Sequence, residues 1–254
     1  MTTSEIEFWE KEYLMQIEYL LKLDKEKMLD GFKTKEYIKE DWEQFLGKST
    51  SDFAVGAERI FYWLFNQFGQ PNSSPIGSDL FFETYNAYVH IDIKTVTLAN
   101  IGDYTRSIFV GNNQVSYKCN IQKQGGKNEL YFPCLPSKYT KKTENNIEEK
   151  VCLTYFITIL YNEKNLEIYN LSVLCVPNNL LYEKYGDKVL VAGKNPGKAR
   201  FSLVNCSDFE IIGGKRIVPI IHKNCITEYE GITQNQFDRK MKFWNMLWEE
   251  NGEE

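Results

Sequence analysis

The sequence predicts a mixed α/β (α+β) protein in which helices flank a central mixed β-sheet. Apolar residues recur at helical spacing up to residue 69, whereas alternation and β-branched residues dominate from residue 79 to beyond residue 215. A helical pattern returns at the end of the chain. The 254 residues, 43% of them hydrophobic, can bury a sizeable core, so we expect a single domain over residues 1–254.

Three helices are expected before the sheet begins. The first spans about residues 5–29 and opens with a capping box formed by Ser4 and Glu7. The second covers about 35–47, and the third follows a polar run and covers about 53–69. Residues 1–48 therefore form an N-terminal helical region, whose apolar stripes are typical of a core or a dimer interface.

The sheet is predicted from segments rich in β-branched and aromatic residues. These segments are Asp79–Thr84, Tyr88–Leu98, Val115–Cys119, Cys152–Tyr161, Leu166–Val176, Phe209–Ile212 and Arg216–Ile221. A short helix is expected at Asn178–Tyr185, and a final helix at Thr233–Glu250.

Charge is segregated along the chain although the net charge is only −5. Residues 1–100 carry 17 acidic and 10 basic side chains, residues 101–223 carry 11 and 17, and residues 224–254 carry 7 and 3. Two basic clusters lie in the middle part, at Lys118–Lys142 and Lys188–Arg216. Either cluster alone is explained as a solvated surface, but two clusters in one half favour a groove that faces phosphates.

The sequence excludes several classes of protein. No segment is long and apolar enough to cross a membrane, and the N-terminus has acidic residues where a signal peptide has basic ones. The six cysteines are widely spread without a C-x-x-C pair, so reduced thiols are expected rather than a zinc site or disulfides. We therefore expect an intracellular protein without a membrane partner.

A group of polar residues interrupts the apolar pattern of the second predicted strand. Because alternate side chains share a face of a strand, His90, Asp92 and Lys94 lie together. The connection at 85–87 is short enough for a hairpin, which brings Asp79 close to Asp92.

Two carboxylates beside an ammonium can perform phosphodiester hydrolysis. Asp79 and Asp92 can hold Mg²⁺, helped by the carbonyl oxygen of Ile93. The metal ion lowers the pKa of water and neutralises a leaving oxygen, and Lys94 positions or activates the attacking water. The alternative is a solvated ion pair between Asp92 and Lys94 on an exposed strand.

The spacing of these residues resembles the catalytic motif of the PD-(D/E)xK nuclease superfamily, in particular its type II restriction endonucleases. Ser78-Asp79 is followed by twelve residues and then by Asp92-Ile93-Lys94, and Glu58 matches the helical glutamate of the family. The resemblance covers residues 53–96. Ser78 replaces the usual proline, and residues 100–175 predict strands and loops where the family has a helix.

The resemblance implies a restriction-endonuclease-like core and Mg²⁺-dependent cleavage of double-stranded DNA by a homodimer. It makes Glu58, Asp79, Asp92 and Lys94 the candidate catalytic residues of a single nuclease domain. The basic region at about 100–223 is expected to contact DNA, since phosphate and base contacts favour basic and amide side chains. The candidate DNA-binding residues are Arg106, Lys118, Lys123, Lys127, Lys138, Lys141, Lys142, Lys194, Asn195, Lys198 and Arg200.

The favoured function is therefore a site-specific, Mg²⁺-dependent endonuclease of the restriction type in a bacterial cytoplasm, with a cognate DNA methyltransferase in the same host. Two alternatives remain open at this point: a structure-specific or repair nuclease on the same core, and a non-catalytic DNA-binding module.

Overall fold

The computed structural model describes residues 1–33, 53–66, 68–71, 77–123, 126–144, 146–193, 198–203, 210–211, 214–226, 229 and 231–251. The predicted second helix at 35–47, Lys194 and Asn195 lie outside these residues. No helix within the described ranges is long and apolar enough to span a membrane. The five cysteines in those ranges are free thiols.

A mixed sheet of seven strands forms the core of the described residues. Its strands, in spatial order, are β1 (Gln70–Pro71), β2 (Leu80–Glu83), β3 (Ala87–Thr97), β8 (Asn146–Tyr161), β9 (Ile168–Val176) and β14 (Ile217–His222), with β7 (Lys138–Thr143) beside the start of β8. β3 and β8 are parallel, and the other neighbours are antiparallel. The prediction of a central mixed sheet is confirmed.

The parallel pairing of β3 with β8 requires a crossover connection, which residues 98–145 provide. Its described part contains a 3₁₀ helix (Leu98–Asp103) and the short strands β4 (Ser107–Val110), β5 (Cys119–Gln122) and β6 (Asn128–Tyr131) before β7. The Lys118–Lys142 segment thus forms the β5–β6 hairpin and an edge strand. As the sequence predicted, strands and loops replace a helix here.

The remaining short strands form two small sheets. β10 (Leu190–Ala192) and β11 (Ala199–Ser202) join β4 in one, while β12 (Glu210–Ile211) pairs with β13 (Gly214–Lys215) in the other. The predicted strand at Val115–Cys119 was wrong apart from its last residue. Its backbone bonds elsewhere, since the N–H of Lys118 donates to Asn179 Oδ1 (2.9 Å) in the 3₁₀ helix Asn179–Leu181 after β9. This 3₁₀ helix and the helical turn Tyr182–Tyr185 correspond to the predicted short helix.

Three long helices cover the sheet: α1 (Thr3–Leu23), α2 (Phe53–Leu64) and α3 (Gln234–Glu250), with further helical residues at 25–33. The start of α1 differs from the prediction, because Thr2 and Glu5 form the capping box. Glu7 is buried instead, where its carboxylate accepts a hydrogen bond from Tyr185 Oη (2.6 Å).

The helices lie on opposite faces of the sheet. On one face, Tyr155 Oη donates to the Glu10 carbonyl of α1 (2.8 Å), and the chain after α2 packs Phe68 against Phe82. On the other face, Tyr104 stacks on Trp244 of α3 (5.1 Å between ring centroids). Because side chains alternate across a strand, Asp92 points to the face that α3 covers.

Candidate active site

The β2–β3 hairpin brings the two candidate metal ligands together. Leu80 pairs with Ile91 in this antiparallel hairpin, so Asp79 lies opposite the next residues of β3. The Ile93 N–H donates to Asp79 Oδ2 at 2.7 Å, which fixes the Asp79 carboxylate beside the strand. Asp79 is partly exposed, whereas Asp92 is only 2% exposed.

The Lys94 ammonium lies beside the Asp92 carboxylate and forms an ion pair with it. Its Nζ also lies 4.9 Å from the ring centroid of Phe156 and 5.6 Å from that of Phe109. The aromatic faces hold the cation by cation–π attraction. Because the Lys94 side chain is only 12% exposed, water screens its charge weakly.

The Gln114 side chain, which the sequence analysis did not single out, links the Asp92 carboxylate to the Lys94 ammonium. Its Nε2 donates to Asp92 Oδ1 (2.8 Å), while its Oε1 accepts hydrogen bonds from Lys94 Nζ (2.6 Å) and from the Gly111 N–H (2.7 Å). A Cβ on Gly111 would lie 3.0 Å from Gln114 Oε1, so glycine leaves room for this contact. Gln114 belongs to a turn in the crossover, where no periodic pattern marked it.

Burial raises the pKa of the Asp92 carboxyl to about 6, and the nearby charge of Asp79 adds to the effect. The Lys94 ammonium and the Gln114 amide act in the opposite direction but do not restore the ordinary value. The ionised form of Asp92 is therefore under-compensated by the protein's own cations. Such a site favours an additional positive charge next to the two carboxylates.

The chemistry of the donors fits a hard divalent cation such as Mg²⁺. Asp79 and Asp92 offer carboxylate oxygens, the ligands that Mg²⁺ prefers. Within the described ranges no group of three or more His, Cys, Asp or Glu side chains could hold a metal ion. A metal ion here would thus depend on backbone oxygen, water and substrate phosphate for its other ligands, as is usual for Mg²⁺.

Glu58 lies in α2, whose side chains pack on the face of the sheet opposite Asp92. Its side chain is partly buried. The hairpin thus unites Asp79, Asp92, Ile93 and Lys94, whereas Glu58 belongs to a helix on the other face of the sheet. Its catalytic role stays a prediction.

The candidate DNA-binding residues differ in how the protein already uses them. The exposed ones are Arg106, Lys118, Lys127, Lys138, Lys141, Lys142 and Lys198. Lys198 is closely associated with the site, because its Nζ lies 5.8 Å from the same Phe109 ring that Lys94 approaches.

Several of these cations already have partners in the protein. Lys123, Lys138 and Lys141 form ion pairs, with Glu129, Glu149 and Glu83 respectively. Arg200 donates through Nε to Ser107 Oγ (2.7 Å) and through Nη2 to the Asp103 and Ser107 carbonyls. These bonds fix the loop before β4, so a DNA contact by Arg200 would compete with them.

Comparison with known proteins identifies the family. Residues 2–165 match the family model of the N-terminal domain of the type II restriction enzyme MwoI, and residues 168–219 match the model of its central domain. The boundary falls between β8 and β9, which are hydrogen-bonded neighbours in one sheet. No curated protein sequence matches this chain.

Two solved structures share the fold. The restriction endonuclease BglI, bound to its DNA recognition sequence, superimposes with a TM-score of 0.65 over 85% of this chain and 91% of that chain, at 16% identity. The tetrameric restriction endonuclease SfiI, bound to cognate DNA, gives 0.64 over 90% and 88%, at 15% identity. Restriction endonucleases generally need a divalent metal ion. The two family models together cover residues 2–165 and 168–219. This chain therefore belongs to the MwoI family of type II restriction enzymes and is a site-specific DNA endonuclease.

Proposed function

We propose that this endonuclease cleaves both strands of duplex DNA by Mg²⁺-dependent hydrolysis, with Asp79, Asp92 and Lys94 at the reacting phosphate. The observation that supports this assignment is their convergence: one hairpin places a fixed carboxylate, a buried carboxylate and an ammonium side by side. Family membership supports the reaction class, and the geometry supports these particular residues.

Asp79 and Asp92 would hold Mg²⁺ through carboxylate oxygens, with the Ile93 carbonyl as a further ligand. When bound, the metal ion supplies positive charge at the leaving oxygen and lowers the pKa of a nearby water molecule. Gln114 would keep Asp92 Oδ1 in a fixed orientation, so that Oδ2, which Lys94 contacts, is the oxygen that Lys94 and the metal ion would share.

Lys94 would act on the phosphate and on the attacking water. Once Asp92 shares its charge with a second cation, the Lys94 ammonium can donate a hydrogen bond to a non-bridging phosphate oxygen, where negative charge develops. The water oxygen forms a new bond to phosphorus as the bond to the leaving oxygen breaks, and the proton of the water passes to solvent. Glu58 would assist from α2.

A double-strand break needs two such sites, one for each strand, so we propose that two copies of the chain act together. The tetrameric assembly of SfiI is a related precedent for multiple copies on DNA. A nuclease with this activity would also cut its host genome, so a cognate methyltransferase and a bacterial cytoplasmic location belong to the same proposal.

Digestion of unmethylated phage and plasmid DNA tests the proposal. We expect discrete fragments with Mg²⁺ and none with EDTA. Lys94→Ala should slow single-turnover cleavage about a hundredfold to a thousandfold, because a group that stabilises developing charge typically contributes this much. Lys27→Ala, which removes an exposed lysine on the helical side of the protein, is the matched control. Undiminished cleavage by Lys94→Ala would refute the assignment, and a smear instead of fragments would refute the sequence specificity.

A further inference from the structure

A basic groove runs between residues 102–106 and helix α3, on the face of the sheet that holds Asp92. It has a volume of about 660 Å³. Four cations, Arg106, Arg239, Lys240 and Lys242, line it together with the apolar Phe243 and Met246. No acidic side chain belongs to this lining among the described residues. An anion in the groove would therefore meet positive charge from both walls.

The basic wall formed by α3 is unexpected, because α3 belongs to an acidic segment of the chain. Residues 224–254 carry 7 acidic side chains and only 3 basic ones, which are Arg239, Lys240 and Lys242. All three line the groove. Arg239, Lys242, Phe243 and Met246 recur at intervals of three and four, so they occupy one face of α3.

The cations are available for a ligand. All four are exposed, and none of them takes part in an ion pair among the described residues. Arg239 uses only its Nε internally, donating to the Asn235 carbonyl (3.3 Å). Uncompensated cations that share a groove repel one another, so binding a polyanion would relieve this repulsion.

The groove adjoins the active site along two paths. One path runs through the groove lining itself. Arg106 precedes Phe109 by three residues, about 10 Å of extended chain, and the Phe109 ring centroid lies 5.6 Å from Lys94 Nζ. The other runs through Gly102, which lies in the 3₁₀ helix that directly follows β3. Because each strand of a DNA duplex advances about 3.4 Å per nucleotide along the helix axis, the separation along the first path corresponds to roughly three or four base pairs.

We propose that the groove binds the phosphate backbone of duplex DNA about three or four base pairs from the cleaved bond. The lining contains four cations and, within the described residues, no acidic side chain. Since half or more of protein–DNA hydrogen bonds go to phosphate and sugar, we assign these cations to phosphates rather than to base edges. The inference rests on the proposed function only in taking Asp92 and Lys94 as the point of cleavage. As a phosphate contact, the groove contributes affinity equally for every DNA sequence.

The test is DNA binding by the full chain in EDTA, so that no cleavage occurs. Arg239→Ala/Lys242→Ala should weaken binding to a random-sequence duplex and to a duplex from the mapped cleavage site by the same factor, about tenfold or more. The slope of log affinity against log salt should become shallower by about 2, because each of the two cations neutralises one phosphate. Lys22→Ala/Lys27→Ala removes the same charge from exposed helical positions on the other face and should leave affinity unchanged.

Several outcomes would overturn the proposal. Equal effects of the two double variants would show that only net charge matters, and loss of binding to the cleavage-site duplex alone would indicate base recognition. A change in oligomeric state with unchanged DNA affinity would make the groove a subunit interface. The single variant Arg106→Ala, with its residue on the other wall, repeats the test without altering α3. Abolished cleavage in Lys94→Ala is a separate result, because it tests the chemistry while leaving binding in EDTA intact.

Discussion

Two buried carboxylate–cation pairs in this protein are built differently. In the pair between α1 and the start of β14, Glu10 is 0% exposed and Arg216 is 1% exposed. Arg216 Nη2 donates to Glu10 Oε2 (2.7 Å), and the other Glu10 oxygen accepts from the Asn178 N–H (2.7 Å). Although burial opposes its charge, the Glu10 carboxylate holds the pKa of Arg216 above the usual range.

The pair of Asp92 with Lys94 is more accessible, because the Lys94 side chain is 12% exposed. A second carboxylate, that of Asp79, stands beside it, and burial raises the pKa of Asp92 to about 6 despite the lysine. Burial raises the pKa of Glu10 as well, despite Arg216, so the two pairs differ in access rather than in compensation. The Glu10–Arg216 pair is closed to solvent, whereas the candidate active site includes the partly exposed Asp79, a position open to an added cation. Three substitutions, one at each kind of partner, test this difference.

Breaking the structural pair should have the largest effect on stability. Arg216→Met leaves Glu10 buried without its cation, which should lower the free energy of unfolding by about 3–5 kcal/mol. Adding Glu10→Gln should recover much of this loss, since the amide oxygen still accepts from Asn178 and the fully buried charge of Glu10 is gone. Urea unfolding measures both effects. Cleavage per folded molecule should stay at the wild-type level, and a specific loss of activity would contradict the structural role.

Neutralising Asp92 should instead raise the free energy of unfolding. Because the pKa of Asp92 is higher in the folded state than its ordinary value of 3.8, the folded state binds the proton more tightly, and wild-type stability falls as pH rises from about 4 to about 6. Asp92→Asn removes this penalty. In EDTA near pH 8 it should raise the free energy of unfolding by roughly 3 kcal/mol at most, with little change near pH 3.

Urea unfolding at the two pH values is the measurement, with the exposed Asp238→Asn as control. Mg²⁺ should stabilise the wild type and not Asp92→Asn, since only the carboxylate binds it. Destabilisation by Asp92→Asn near pH 8 would mean that the Lys94 ammonium outweighs the burial of the Asp92 carboxylate.

Removing the bridging amide should have the smallest effect. Gln114→Leu deletes the hydrogen bonds to Asp92 and Lys94, which is worth about 1–2 kcal/mol and thus roughly a fivefold to thirtyfold slower cleavage at saturating DNA. Because the amide lowers the pKa of Asp92, its loss should also move the acidic limb of the pH–rate profile to higher pH.

A purely structural role of Gln114 would lower stability without moving that limb. The neighbouring amide offers a matched control, and Asn113→Ala should change neither the rate nor the pH profile. An equal shift in both variants would assign the effect to the turn rather than to the Gln114 side chain.

The fold was predictable where its signals are local. The patterns at 79–98, 152–176 and 216–221 correspond to β2, β3, β8, β9 and β14, and the helical patterns at both ends correspond to α1, α2 and α3. β7 was missed, because Lys138–Thr143 is polar and exposed and becomes a strand only by pairing with β8. The short strands β10 and β11 were also missed, because they form a sheet only by pairing with each other and with the distant β4.

Residue order alone was enough to place Asp79, Asp92 and Lys94, because strand alternation and a short turn act over a few residues. Gln114 is separated from Asp92 by 22 positions, and Arg106 lies still farther from the basic residues of α3. Their contacts depend on the parallel pairing of β3 with β8 and on the packing of α3. Burial of apolar surface between segments far apart in the sequence determines both arrangements. Local periodicity contains no information about which distant segments will pack together, so these neighbours emerged only from the folded molecule.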